Sequence, residues 1–270
     1  AVPEANDHLI NAAEKLSDNG VPAITQLPTA ARIGDVITTT VTLPNGSPLT
    51  LSTTLSQADI QAGFVSQLIP RASLAADGTY PVSTTYTSSI TGLTSAPTDN
   101  TFTLDTTAPV AGTGALATAS DTGILGDNKT NDNTPALSGT AEANATVQIV
   151  VNGQPYTTTA NAQGVWSLPA TAVLPDGTYT PVITVTDAVG NSTTANGTPF
   201  IVDTSAPAIP GVQIPDAPRG VNTSEASDGV ALVINLPNDA VAGDTLTSVV
   251  TKPDGTTLTL TRVLTAADIT

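Results

Sequence analysis

Apolar residues alternate with Thr, Ser or Gln in five separate stretches: DVITTTVTL (35–43), PLTLSTTL (48–55), ATVQIVVNG (145–153), TYTPVITVTD (178–187) and DTLTSVVTK (244–252). A period of two sends one set of side chains to each face of an extended segment, so each stretch predicts a half-buried strand. Between them stand Pro44-Asn45-Gly46, Asn152-Gly153, Asp176-Gly177 and Pro253-Asp254-Gly255, each offering a glycine where a tight turn needs positive φ. Helical periodicity is nearly absent. Only SQADIQAGFVSQL (56–68) accommodates one or two short helical turns, with Ser56 as the cap. The expected fold class is all-β.

The chain also repeats itself. DGTY occurs at 77–80 and 176–179, and LDTTAP (104–109) matches VDTSAP (202–207). A second match is longer: GDVITTTVTLPNGSPLTLSTTLSQADI (34–60) resembles GDTLTSVVTKPDGTTLTLTRVLTAADI (243–269), and INAAE (10–14) resembles VNTSE (221–225). The expected organisation is a repeat of type A over 1–105, a repeat of type B over 106–205, and the first half of a second A over 206–270. Members of such an array contact mainly their neighbours. A truncated last member exposes strand edges, which makes pairing with a second copy of the chain a further expectation.

The 270 residues carry 7 Lys plus Arg against 23 Asp plus Glu. That balance argues against nucleic acid and against an anionic membrane surface, since both select basic patches. Nineteen of the acids are Asp and four are Glu. A solvated helix face favours Glu; Asp suits turns, and it is also a common calcium ligand. There is no cysteine, hence no disulfide framework. Methionine is absent even at position 1, and the expectation is a piece of a longer polypeptide. No apolar run approaches the roughly 20 residues that span a bilayer. With one Trp, four Tyr and three Phe, the cores must be built from Val, Ile, Leu and Ala, enough for small sandwiches and poor for a large enzyme pocket.

The B segment reads TNDNTPALSGTAEANATVQIVVNG, then ANAQGVWSLPATAVLPDGTYTPVITVTDAVGNST, then FIVDTSAP. It resembles the bacterial immunoglobulin-like repeats of large type I-secreted surface adhesins and biofilm-associated proteins. The A segment keeps DGTY and DTTAP but has TSSITGL where B has TDAVGN. The resemblance implies tandem immunoglobulin-like β-sandwiches in a linear array, the last one truncated. It also implies a tyrosine corner at Tyr80 and Tyr179, and an extracellular place at the bacterial surface or in a biofilm matrix.

Residues 121–135, DTGILGDNKTNDNTP, hold three Asp and three Asn. They do not form an EF-hand loop. Counting from Asp127, position three is Lys129, position six is Asp132 rather than glycine, and position twelve is Ser138 rather than an acid. A site assembled from separate loops is the other route. In the resembled family calcium binds between adjacent repeats and stiffens the array. That carries over to Asp105, Asp121, Asp127, Asp132, Asp187 and Asn191, with Asp203 repeating the linker acid at the next junction and Asp228 as a weaker candidate there. Against this stands the reading of the same residues as turn formers in solvated loops.

His8 is the only histidine and has no cysteine to join it, which argues against zinc. Trp166 is expected in the core rather than on a sugar-binding face. No nucleophile-elbow pattern and no Gly-rich phosphate loop occur, so a structural protein is favoured over an enzyme. The expected role is a calcium-stiffened stalk in contact with neighbouring repeats of its own chain. The alternatives are a module binding glycan or host protein, and a self-associating matrix unit.

Overall fold

The computed structural model describes residues 8–16, 19–215, 229–252 and 254–269; Pro253, Asp228 and the VNTSE copy lie outside them. The chain divides into two compact units. The first comprises Ala1–Ala117, Pro135–Ala172 and Tyr179–Phe200, the second Thr118–Thr134, Val173–Thr178 and Ile201–Thr270. In both, strands are the main regular element and helix is confined to short turns.

In the first unit, residues 8–105 supply β1 (Leu9–Ile10), α1 (Ala12–Leu16), β2 (Gly20–Gln26), β3 (Val36–Thr42), β4 (Pro48–Thr54), α2 (Gln57–Ala62), β5 (Phe64–Pro70), β6 (Gly78–Thr87) and β7 (Thr98–Leu104). One sheet runs β1-β7-β6-β3-β4, and β2 pairs with β5 in a second. The predicted alternation is visible in β3, where Ile37, Thr39 and Val41 are buried. Ile10, Val21, Val41, Ile69, Tyr80 and Phe102 share one core, so side chains of both sheets meet in it. Tyr80 and Phe102 stack with ring centroids 4.9 Å apart. The Tyr80 hydroxyl donates to the Ala76 carbonyl at 2.6 Å, the backward tie of a tyrosine corner. The helical turn expected after Ser56 is α2. Ser56 and Asp59 form a reciprocal capping box, and Gly63 closes the helix in the left-handed conformation.

Residues 106–205 supply β8 (Ala115–Leu116), β9 (Lys129–Thr130), β10 (Leu137–Thr140), β11 (Thr146–Val151), β12 (Gln154–Thr159), β13 (Val165–Leu168), β14 (Gly177–Tyr179), β15 (Val182–Thr186), β16 (Ser192–Asn196) and β17 (Phe200–Val202). The sheets run β13-β10-β8, β12-β11-β15-β16 and β14-β17-β9. Trp166 is buried, and its indole N–H donates to the carbonyls of Thr113 (3.0 Å) and Thr140 (3.3 Å). Gly114 lies between it and the opposite sheet: a Cβ there would stand 2.5 Å from Ile183 and 2.7 Å from Trp166. The stretch expected as one strand over 178–187 is two. TYTP carries one residue more than TYP of the A segment. Where β6 runs unbroken through Pro81, Thr180 and Pro181 separate β14 from β15, and the two strands join different sheets.

In the second unit, β17 pairs with β9 in parallel, Ile201 opposite Lys129 and Val202 opposite Thr130. Later residues give β18 (Gly211–Gln213), β19 (Val233–Asn235), β20 (Thr245–Thr251) and β21 (Thr257–Val263), in the two-stranded pairs β18-β19 and β20-β21. Among the described residues no helix is long and apolar enough to cross a membrane.

Candidate interrepeat joint and polar loop

The β15–β16 hairpin turns through Asp187-Ala188-Val189-Gly190-Asn191. Asp187 organises that turn from within. Its Oδ1 accepts the backbone N–H groups of Val189 (2.9 Å), Gly190 (2.7 Å) and Asn191 (2.9 Å). Its Oδ2 accepts the Asn191 amide at 3.0 Å. The rest of the Asn191 side chain reaches the A segment. Nδ2 also donates to the Asp105 backbone carbonyl at 2.9 Å, and Oδ1 accepts the Ala12 N–H at 3.0 Å. Asn11 adds a third link, from its Nδ2 to the Val189 carbonyl at 3.1 Å.

The receiving side is held just as firmly. Asn11 Oδ1 caps α1 by accepting from Ala13 (2.9 Å) and Glu14 (3.0 Å), while Glu14 accepts the Asn11 N–H at 2.9 Å. Asp105 is anchored by its own N–H to the Ile10 carbonyl at 3.0 Å, and its Oδ1 accepts the Thr107 N–H at 3.0 Å. The structure therefore brings Asp105, Asp187 and Asn191 together, as the loop-assembled site required. Calcium takes six to eight oxygens. Here both Asp187 oxygens and the Asn191 oxygen face N–H donors, and among the described residues no third acid gathers with Asp105 and Asp187.

The other candidates lie in the second unit. Asp127 accepts the Lys129 N–H at 3.0 Å, a local turn bond. Asp132 accepts the Thr134 N–H (2.9 Å) and hydroxyl (3.1 Å) and the Ser120 hydroxyl (3.0 Å). The Thr134 N–H foremost, with those hydroxyls, holds its carboxyl below the ordinary aspartate range against the opposing effect of burial. Asp203 accepts the Ser205 N–H at 3.0 Å. Asp121 differs from all of these. It is 9% exposed, its Oδ2 accepts the Gly126 N–H, and its buried Oδ1 has no hydrogen-bond partner. An unpartnered buried carboxylate oxygen is costly, and a cation is one group that fits it. Among the described residues no three acidic or histidine side chains gather as a metal cage.

Two clasps escaped the reading of the sequence. The aspartate of DGTY binds the two hydroxyl residues of the DTxAP linker in both repeats. Asp77 accepts the hydroxyls of Thr106 and Thr107, each at 2.8 Å. Asp176 accepts the Thr204 N–H (2.9 Å), the Thr204 hydroxyl (2.8 Å) and the Ser205 hydroxyl (2.8 Å). The signal was present: both motifs recur together, each time with hydroxyl residues after the linker aspartate.

Residues 107–204 match the family described as the bacterial Ig-like domain. No curated protein matches the chain. Among solved structures, a bacterial immunoglobulin-like domain from the M. primoryensis ice-binding adhesin is 30% identical, with 34% of this chain and 96% of that one covered and a TM-score of 0.25. A Ca²⁺-stabilised adhesin with which an Antarctic bacterium reaches out and binds ice is 23% identical, with 95% and 70% covered and a TM-score of 0.41. The BSP domain of a biofilm-associated protein is 17% identical, with 69% and 30% covered and a TM-score of 0.26.

Proposed function

Because residues 107–204 are a bacterial immunoglobulin-like domain, we propose that this chain is a structural segment of a bacterial surface adhesin or biofilm protein. In this reading it lies outside the cell and serves as a stalk that carries a binding part away from the surface. The observation that carries it is the recurring clasp. Asp77 and Asp176 each tie the linker that leaves their own repeat back onto its body. A chain in which successive linkers are fastened in the same way is suited to setting a distance rather than to turning over a substrate.

Calcium enters this reading at the polar loop. Asp121 supplies a buried oxygen lacking a partner. Asp127, Asp132 and Asp203 are the acids of the same unit that would join it after giving up part of their present bonds. The bound ion would neutralise carboxylates held close together and stiffen the loop. Its stabilisation would grow with free calcium.

The test has two arms. The full chain is melted in EDTA, then with calcium or magnesium at about 5 mM, above the roughly 10⁻⁴–10⁻³ M affinities of extracellular calcium modules. A rise in Tm with calcium alone, lost in Asp121→Asn, supports the calcium site in the polar loop, and no rise removes it. In parallel the chain is passed over a glycan array. A spacer shows no saturable binding; saturable binding to one glycan class would overturn the stalk reading in favour of a ligand-binding module.

Self-association is a second reading, favoured by the β20–β21 hairpin. Val249, Leu258, Leu260 and Val263 are all exposed there, at 58%, 47%, 47% and 59%. A sedimentation mass that rises with concentration would support it.

A further inference from the structure

We propose that Asn11, Ala12 and the Asp105 carbonyl form a docking surface for the D-x-x-x-N loop of the repeat that follows, and that this joint closes by hydrogen bonds alone. The inference rests on the stalk reading only in taking the two repeats as consecutive members of an array.

The chemistry of Asn191 carries it. A carboxamide has two N–H donors and one oxygen acceptor. Both donor bonds are spent on Asp105 and Asp187, and the oxygen takes the Ala12 N–H. The side chain is 6% exposed, so these bonds are shielded from water. No other residue type offers the same set in that volume. A carboxylate at this position would put negative oxygen against the Asp105 carbonyl and the Asp187 carboxylate. The loop must also approach closely. Gly190 has φ +98°, and a Cβ there would stand 3.1 Å from the Asn11 amide nitrogen. Asp187 holds the loop ready by accepting three of its backbone N–H groups, so little ordering is left to be done on docking.

The joint also has a direction. The matching loop of the A segment is TSSITGL, which has neither the aspartate nor the asparagine. It is held from below by Asp35, which accepts the Ser89 N–H (2.7 Å), the Ser89 hydroxyl (2.8 Å) and the Tyr86 hydroxyl. Its tip presents Ile90 and Leu93, 68% and 73% exposed. The A repeat therefore receives a D-x-x-x-N loop after it but cannot offer one to a repeat before it. Polar pairing of this kind specifies which repeat follows which.

Asn191→Asp separates the two ways of closing the joint, because it destroys the hydrogen-bond pattern while adding a ligand for calcium. Hydrogen exchange of the Ala12 amide is followed in the full chain, in EDTA and in calcium. The wild type is expected to protect this amide equally in both. Asn191→Asp and Asn191→Ala are each expected to lose about tenfold or more of that protection in EDTA, with Trp166 emission unchanged as the check on folding. Should the Asn191 variants fail to fold, Ala12→Pro serves instead. Proline suits the first position of a helix and removes only the donor. It is expected to give segments 19–104 and 137–196 separate rotational correlation times in ¹⁵N relaxation where the wild type shows one. An Ala12 amide protected only when calcium is present, or indifferent to both Asn191 substitutions, would overturn the proposal. Glycan binding would sink the stalk reading and leave this result standing.

Discussion

The Asp176 carboxylate accepts both the backbone N–H and the hydroxyl of Thr204, at 2.9 and 2.8 Å, across 28 residues of sequence. Asp77 likewise accepts the hydroxyls of Thr106 and Thr107. These bonds favour the charged carboxylate. The Thr204 N–H is the largest influence lowering the Asp176 pKa, followed by the hydroxyls of Ser205 and Thr204. At Asp77 burial opposes the charge, and the Thr106 and Thr107 hydroxyls outweigh it. A lowered folded-state pKa means stability that is present above the unfolded value of about 3.9 and is lost as pH falls through the folded value. Tm is therefore expected to be flat from neutral pH down to about 5 and to fall below about 4. Asp176→Asn should flatten that acid limb, as read by melts between pH 7 and 2. A limb unchanged by the substitution would remove Asp176 from the account.

Tyr80 is fully buried, stacks on Phe102 and donates its hydroxyl to Ala76. Tyr80→Phe keeps the stack and deletes the donor. The expected loss is about 1 kcal/mol, the net worth of one hydrogen bond, read as a drop in the urea midpoint with an unchanged slope.

Between Trp166 and Ile183 there is room for a glycine and nothing larger at position 114. Gly114→Val should destabilise by about 1–3 kcal/mol or more through overpacking. Trp166→Ala should cost about 3–5 kcal/mol through the cavity it leaves. In combination the two are expected to be less harmful than their sum, because valine partly refills the void. Strict additivity in denaturant melts would contradict the shared-space account.

Asn152 and Gly153 join β11 to β12 with φ of +50° and +77°. Asparagine tolerates the left-handed conformation and alanine does not, so Asn152→Ala should cost about 1–2 kcal/mol. Asn152→Gly should be nearly neutral. Equal losses in the two variants would show that the asparagine side chain, and not its backbone freedom, matters.

Strands at 36–42, 48–54, 146–151 and 245–251 were legible because alternation states which face is buried. α2 was legible through Ser56 and Gly63. The five-residue α1 was not, since so short a helix shows no periodicity. Nor was the break at Pro181, which depends on one extra residue shifting the chain between sheets. At the joint, the convergence of Asp105, Asp187 and Asn191 followed from the family resemblance. Their use as hydrogen-bonding groups did not, because composition cannot say which oxygens face N–H donors. Asp121 looked like its neighbours Asp127 and Asp132 in sequence. Only its buried, unpartnered Oδ1 sets it apart.

The parallel pairing of β1 with β7, and of β9 with β17, has a mechanical meaning. Each pair sets a strand near the start of a repeat beside the strand that ends it. Tension along the polypeptide pulls two parallel neighbours in opposite senses along their length. Their hydrogen bonds are then loaded together in shear, rather than opened one after another as at the end of a hairpin. That geometry resists a pull on the two ends of a repeat, and in each pair the strand near the start, β1 or β9, is only two residues long.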